Sequence, residues 1–334
     1  MHIDRELCYS ESRQRGEDER RGAMAKDTFT FLSADKKTQI HCVSWSPETE
    51  EFRGILQITH GMVEYIERYE GFAEFLNSKG YLVVGHDHLG HGESVNTPED
   101  WGFFAEENGS DVLVADMHTL RTMTQEKYPG IPYFMLGHSM GSFLLRKYLC
   151  IHGDHLRGAI IMGTGNQPDG LLKFAKGLCQ VLAKLHGWHY RSGMIQKMAF
   201  AGNDSKFRGE SLKNSWLTKD VEIVKAYSAS PKCTFVFTLN GFYNLFDTIW
   251  YDNRPEHLAQ IPKKLPLFFV SGEDDPVGSF GKGVKQVYDI YEALGMTDIT
   301  WKLYPTDRHE ILNELDKEQV YEDLYSWMEV RLTT

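Results

Sequence analysis

The sequence has no long apolar run. No stretch of its 334 residues approaches the roughly 20 consecutive apolar residues that cross a bilayer, which excludes a membrane-spanning helix. It has no surplus of positive charge either. Lys and Arg number 36 against 47 Asp and Glu, a formal net charge of -11. Nucleic acid needs a basic footprint and anionic lipid draws basic segments, so neither is expected to bind by charge, and stable membrane insertion is not expected. Cysteine is scarce, with five in all and no CxxC spacing. That argues against a disulfide framework and for a reducing compartment in which the thiols are small core residues. No signal peptide is expected either, since residues 1–23 are dense in Arg, Glu and Asp and have no apolar centre. A soluble, cytoplasmic protein is expected, with residues 1–25 as a disordered extension. Met24 opens a more protein-like segment. Glu19-Arg20-Arg21-Gly22 is what a purine-rich stretch ahead of a start codon encodes, so translation is expected to begin at Met24. Oligomeric state leaves no trace in the composition.

What is present is an alternation of strand and helix. Apolar residues make up 41% of the chain, enough for a substantial core. Asp27 to Leu32 and Thr38 to Trp45 read as a hairpin around the polar turn 33–37. Ile55 to Thr59 and Tyr81 to Gly85 read as buried strands, with a helical pattern from Tyr65 to Leu76 between them. A helix from Val112 to Tyr128 stops at Pro129-Gly130, and strands follow at Pro132 to Leu136 and Gly158 to Met162. The alternation resumes with Leu267 to Ser271, Val284 to Leu294, Ile299 to Tyr304 and Lys317 to Val330. This predicts an α/β fold, a mostly parallel sheet with helices on both faces. The stretch 164–262 breaks the alternation. It is helical and rich in aromatics, and reads as an inserted cap between core parts 26–163 and 263–334. Most of its aromatics are expected to form the cap's own core, and a minority to line an apolar pocket.

Gly137-His138-Ser139-Met140-Gly141 reads GxSxG where a strand meets a helix. A sharp turn there lifts the serine hydroxyl out of the sheet. The plainer alternative is a glycine turn with a serine helix cap. A serine nucleophile needs a base, and the base needs an orienting carboxylate, in the chain order Ser, Asp or Glu, His. Beyond the second apolar strand of the C-terminal half the only histidine is His309, in a turn after Ile299 to Tyr304. The loop after Leu267 to Ser271 offers Glu273, Asp274 and Asp275. Composition does not choose among them, but Pro276 stiffens the loop after Asp275, which is preferred. An oxyanion needs two backbone N–H donors. Met140 follows the serine, and Met62 is the preferred second donor because Gly61 lets its loop turn inward.

His86-Asp87-His88-Leu89-Gly90-His91 competes as a run of metal ligands, since zinc sites cluster His and Asp. The same stretch reads D-x-x-G-H-G-x-S from Asp87 to Ser94, a turn after a strand, and no metal is assigned to it. GSFGKG at 278–283 lacks Walker spacing and is set aside as a phosphate loop. No cofactor is expected.

Five blocks carry a resemblance: HGMVEYIERY (His60 to Tyr69), HDHLGHGES (His86 to Ser94), GHSMGS (Gly137 to Ser142), SGEDDPVG (Ser271 to Gly278) and YPTDRHEILNE (Tyr304 to Glu314). With them the chain resembles the α/β-hydrolases, in particular the group of monoacylglycerol lipases, lysophospholipase-like proteins and the serine aminopeptidase family. The resemblance implies Ser139, Asp275 and His309 as the triad and Met62 and Met140 as the oxyanion hole. It implies a serine ester hydrolase acting on monoacylglycerol, lysophospholipid or similar acyl esters. One alternative is a serine aminopeptidase or amidase, which would need acids such as Glu222 or Asp247 for a free amino group. The turn reads HGM and lacks the HGGPG run of proline iminopeptidases, which weakens that option. The other is a hydrolase fold kept as a slow or inactive ligand receptor.

Overall fold

The computed structural model describes residues 25–332 apart from Glu50, Ala201 and Ser211. The expected N-terminal extension therefore lies outside the described residues except for Ala25, which opens the first strand. β1 (Ala25–Leu32) and β2 (Gln39–Ser46) pair antiparallel around the polar turn. Then follow β3 (Gly54–Thr59), α1 (Glu70–Ser78), β4 (Tyr81–His86), α2 (Gly109–Lys127), β5 (Tyr133–His138), α3 (Met140–His152) and β6 (Gly158–Met162). Among the described residues, five α-helices come before the next strand: α4 (Asp169–His186), α5 (Gly193–Ala199), α6 (Val221–Ala229), α7 (Leu239–Tyr251) and α8 (Pro255–Leu258). β7 (Leu267–Gly272), α9 (Lys282–Ala293), β8 (Ile299–Tyr304) and α10 (Lys317–Leu332) follow as the last described elements.

The strands form one sheet in the order β1-β2-β4-β3-β5-β6-β7-β8. It is parallel from β4 to β8, and β2 joins β4 antiparallel. Strands β3 to β7 are buried throughout, which is why they read as continuous apolar runs rather than alternations. Alternate side chains still face opposite ways. Ile55, Tyr133 and Met135 join a core with Leu113, Met117 and Leu145 of α2 and α3. Leu56, Phe134 and Leu136 join another with Phe72 and Leu76 of α1 and Leu324 and Met328 of α10. Helices thus cover both faces.

The segment between β6 and β7 adds no strand to the sheet among its described residues. Its helix α4 buries Leu172, Ala175, Cys179 and Ala183 and exposes Leu171, Phe174, Val181 and Leu185. The parallel order reverses direction at β3, with β4 on one side and β5 on the other. A crevice beyond the carboxyl ends of strands at such a point is where sheets of this kind take ligands.

Candidate active site

Ser139 stands between β5 and α3 with φ 53° and ψ -119°. A non-glycine residue held there costs on the order of 1–3 kcal/mol, so its surroundings must impose it. They do so by close packing. A Cβ on Gly137 would fall 2.4 Å from the Gly141 carbonyl oxygen, and one on Gly141 would fall 2.1 Å from the Thr59 carbonyl oxygen. Only glycine lets α3 press this tightly on β3 and β5. Ser139 N donates to the Met162 carbonyl at 3.0 Å, tying the turn to β6.

The loops after β7 and β8 meet beside this turn. Of the three acids after β7, it is Asp275 whose Oδ1 lies 2.9 Å from His309 Nδ1. Asp274 pairs with Lys206, and Glu273 is exposed. Asp275 is fully buried and also accepts hydrogen bonds from Ser271 Oγ (2.9 Å) and Val277 N (2.8 Å). Burial opposes its ionisation, but the charge and hydrogen bond of His309 outweigh it and hold the carboxyl below its ordinary range. A proton on Nδ1 leaves His309 Nε2 as the unprotonated nitrogen. A Cβ on Gly163 would lie 3.1 Å from His309 Cε1, so the end of β6 sets the floor on which the ring rests. Ser139 and His309 line the same cavity. No hydrogen bond joins their side chains among the described residues. Such bonds are often long before substrate is bound.

Met140 is the first residue of α3, where backbone N–H groups have no partner within the helix. Met62 lies on the loop after β3, and both residues line the cavity. A Cβ on Gly61 would lie 3.0 Å from Ser139 Cβ, so glycine brings this loop against the serine. Val63 has φ 56°, a costly conformation for a β-branched residue. The loop is held in that shape from beneath. Glu64 Oε1 accepts from Gly61 N and from Tyr69 OH (2.9 Å) and lies 3.1 Å from His138 Nδ1. Arg68 bonds Glu64 Oε2 (2.8 Å) and both oxygens of Glu310 (2.8 and 2.6 Å). His138 Nε2 donates to the His309 carbonyl at 3.2 Å. Burial works against charge on His138, but Glu64 prevails and raises its basicity. One buried network therefore joins the Met62 loop, the serine turn and the His309 loop. Sequence reasoning missed it, because Glu64, Arg68 and His138 sit among apolar residues as solvent-facing charges would.

The candidate metal run does not converge. Asp87 spends its carboxylate on Ile66 N and Glu93 N, both at 2.8 Å, and so shapes the turn after β4. Among the described residues, the group whose ligand atoms come together is Asp307, Glu314 and Asp316. Glu222 pairs with Lys225 and Asp247 with Lys176, and neither lines the cavity. The cavity holds about 710 Å³. Of the aromatics between β6 and β7, Phe200, Trp216, Tyr227, Phe235 and Phe246 line it, while Phe237 and Phe242 are fully buried in the core. Leu171 both lines the cavity and is 46% exposed, so α4 forms part of its rim.

The profile of the serine aminopeptidase S33 family, one of the hydrolases, matches residues 50–316. The monoglyceride lipase of Homo sapiens is 31% identical over 322 residues, covering 92% of each chain. The monoacylglycerol lipase of Mycolicibacterium smegmatis is 26% identical over 288 residues, covering 85% of this chain and 90% of that one. Among solved structures, a highly thermostable carboxyl esterase from Bacillus coagulans, in complex with glycerol, superposes with a TM-score of 0.85. It is 28% identical and covers 93% of this chain and 100% of its own.

Proposed function

For a chain that belongs to the serine aminopeptidase S33 family, in the monoacylglycerol lipase-like group of α/β-hydrolases, and is a carboxylic ester hydrolase, we propose a serine acyl-enzyme mechanism on lipid monoesters. Ser139 Oγ attacks the ester carbonyl. His309 Nε2 takes the serine proton, gives it to the leaving alcohol, and then activates water. Asp275 holds the Nδ1–H tautomer and stabilises the imidazolium. The N–H groups of Met62 and Met140 bind the oxyanion, each worth about 3 kcal/mol of transition-state stabilisation. The observation that carries the reading is the buried 2.9 Å Asp275–His309 pair opening onto the cavity that also holds strained Ser139.

The substrate class rests on the cavity. Its volume is in the range of small-molecule pockets, and aromatic and aliphatic side chains line most of it. That suits an acyl chain. The rim at Leu171 suits a substrate delivered from an apolar phase. Monoacylglycerols, lysophospholipids and similar acyl esters are the proposed substrates. The aminopeptidase alternative loses its two proposed acidic anchors, since Glu222 and Asp247 lie off the cavity.

The test is hydrolysis of a monoacylglycerol and lysophospholipid series beside aminoacyl-anilides, with fluorophosphonate labelling of the folded protein. Ester turnover, labelling at residue 139, and loss of both in Ser139→Ala with unchanged thermal unfolding are expected. Faster anilide turnover would overturn the substrate class, and an unlabelled Ser139 would favour a ligand receptor.

A further inference from the structure

The loop that carries His309 is held by the insertion more than by the sheet. Trp216 and Leu217 accept backbone bonds from His309 N (3.3 Å) and Glu310 N (2.7 Å), as an added strand would. The Trp216 ring lies 5.1 Å from the His309 ring, centroid to centroid. Thr218 Oγ1 donates to the Asn313 carbonyl at 2.9 Å. Arg308 reaches back to Glu210 and to the Ser215 carbonyl. At the end of this segment Lys219 Nζ enters the acidic group. It lies 2.6 Å from Asp307 Oδ1, 3.5 Å from Asp316 Oδ1 and 3.8 Å from Glu314 Oε2, and donates to Thr306 Oγ1 at 3.2 Å. Its backbone N–H donates to Glu314 Oε2 at 3.1 Å.

Asp307 and Glu314 are buried, so water and salt screen their charges less than they screen that of exposed Asp316. Three carboxylates this close repel one another unless a cation stands among them. A divalent ion could fill that role, but the Lys219 ammonium already does. Burial pushes Asp307 up to about 6, and the Lys219 ammonium works against that rise. Thr306, with φ 64°, is a further residue this loop holds in a costly conformation.

We propose that Lys219 is a positioning residue for His309, its ammonium fastening the base-bearing loop 306–314 to the insertion so that the seating of the insertion sets where the imidazole stands. The proposal rests on the assignment of His309 as the base. It differs from the polar network beneath the serine, because Lys219 touches none of those side chains and acts from the insertion's side. Any displacement of segment 215–219, on substrate entry or release, then carries the base with it.

The experiment compares Lys219→Met and Lys219→Arg in the full chain on a soluble p-nitrophenyl ester, with thermal unfolding followed in parallel. Misplacing a base by about 1 Å costs roughly tenfold to a hundredfold in rate, so Lys219→Met is expected to lower kcat by that factor with KM within about twofold. Lys219→Arg restores the charge and is expected to bring kcat back to within about fivefold of the parent, the residue of a misfit of a few tenths of an ångström. An unchanged kcat in folded Lys219→Met overturns the proposal. So does a rise in KM alone, which would mean a role in shaping the cavity, or a kcat loss that arginine leaves unrepaired. If Lys219→Met fails to fold, Glu210→Gln loosens the same segment through Arg308. A kcat reduced by roughly threefold or more at constant KM supports the proposal, and a parental kcat overturns it. Ser139→Ala measured alongside separates the two readings: hydrolysis that survives there refutes the mechanism itself, whatever Lys219 does.

Discussion

The Glu64–Arg68–His138–Glu310 group and the four histidines His60, His86, His88 and His91 are almost equally buried, but the first group is charged and paired and the second is held neutral. They anchor the two ends of the same loop, which runs from His60 to Glu64. In the first group every side chain meets a partner of opposite charge or a hydrogen-bond acceptor. In the second, only His60 is bonded at both nitrogens, to the Gly61 carbonyl (2.7 Å) and His88 N (2.9 Å). Both ring nitrogens of His86 and of His88, and Nε2 of His91, have no hydrogen-bond partner among the described residues. These rings pack edge to face or tilted instead, His60 on His88 at 4.4 Å and His86 on His88 at 4.9 Å. Burial opposes charge in both groups. In the paired group counter-charges overcome it, and Glu64 and Glu310 stay ionised well into acid. Among the four histidines nothing overcomes it, all are held below their ordinary basicity, and His86 is lowered to about 3. Buried polarity therefore holds the reacting loops in place where it is paired. Where it is unpaired it favours the neutral form, and acid is expected to act against the fold there.

The largest effect is expected from breaking the paired group. Glu64→Ala strips a buried counter-charge from Arg68 and His138 and the acceptor from Gly61 N. It should cost about 3–5 kcal/mol in urea unfolding at pH 7. Hydrolysis should fall with it, since Met62 loses its support. A loss under about 1 kcal/mol would put the pairs on the same footing as the histidines. Acid comes next. A histidine with a lowered folded pKa is neutral in the native state and takes up a proton on unfolding. Its contribution is complete above the unfolded value of about 6.5 and is lost as pH falls through it. His86, His88 and His91, lowered furthest, give a slope approaching about 4 kcal/mol per pH unit below that value, and His60 adds to it in the same sense. His138 runs the other way: its raised pKa is fully stabilising below about 6.5 and fades as pH rises through the folded value. Glu64 and Glu310 lose their contribution only as pH falls through the carboxylate range and below. Urea unfolding from pH 7.5 to 5 measures the balance, and a flat profile across that range would dissolve the distinction between the groups.

The same contrast governs what could be read from the sequence. The sheet was legible because strands buried on both faces leave unbroken apolar runs, and chain order narrowed the acid and base to residues of which Asp275 and His309 lie 2.9 Å apart, His309 on the cavity that Ser139 also lines. Boundaries moved where the backbone decides rather than the pattern. β5 runs on to His138 through pairing with Met162, and the expected helix from Tyr65 begins as a short 3-10 turn (Ile66–Tyr69) before α1. Arg68 was opaque: inside an amphipathic run a charge reads as solvent-facing, and its partner Glu310 lies 242 residues away. The run from His86 to His91 was legible for the opposite reason: its D-x-x-G-H-G-x-S spacing reads as a turn after a strand, and His86 does end β4 ahead of a turn fastened by Asp87.

The smallest expected effect is the most discriminating. His86→Phe removes two nitrogens that bond nothing among the described residues and keeps a ring against His88 and Phe31. Exchanging an unpartnered polar group for an apolar one of similar shape is close to neutral, so stability at pH 7 should change by less than about 1 kcal/mol. What should change is the slope. One fewer proton is taken up on unfolding, so the loss of stability between pH 6.5 and 5 should become shallower by about 1.4 kcal/mol per pH unit. A variant that is neutral at pH 7 and sturdier in acid would place the acid limit of this fold on the unpaired histidines. A variant destabilised at pH 7 with an unaltered slope would mean that the His86 nitrogens are satisfied, and that the two buried groups follow one rule after all.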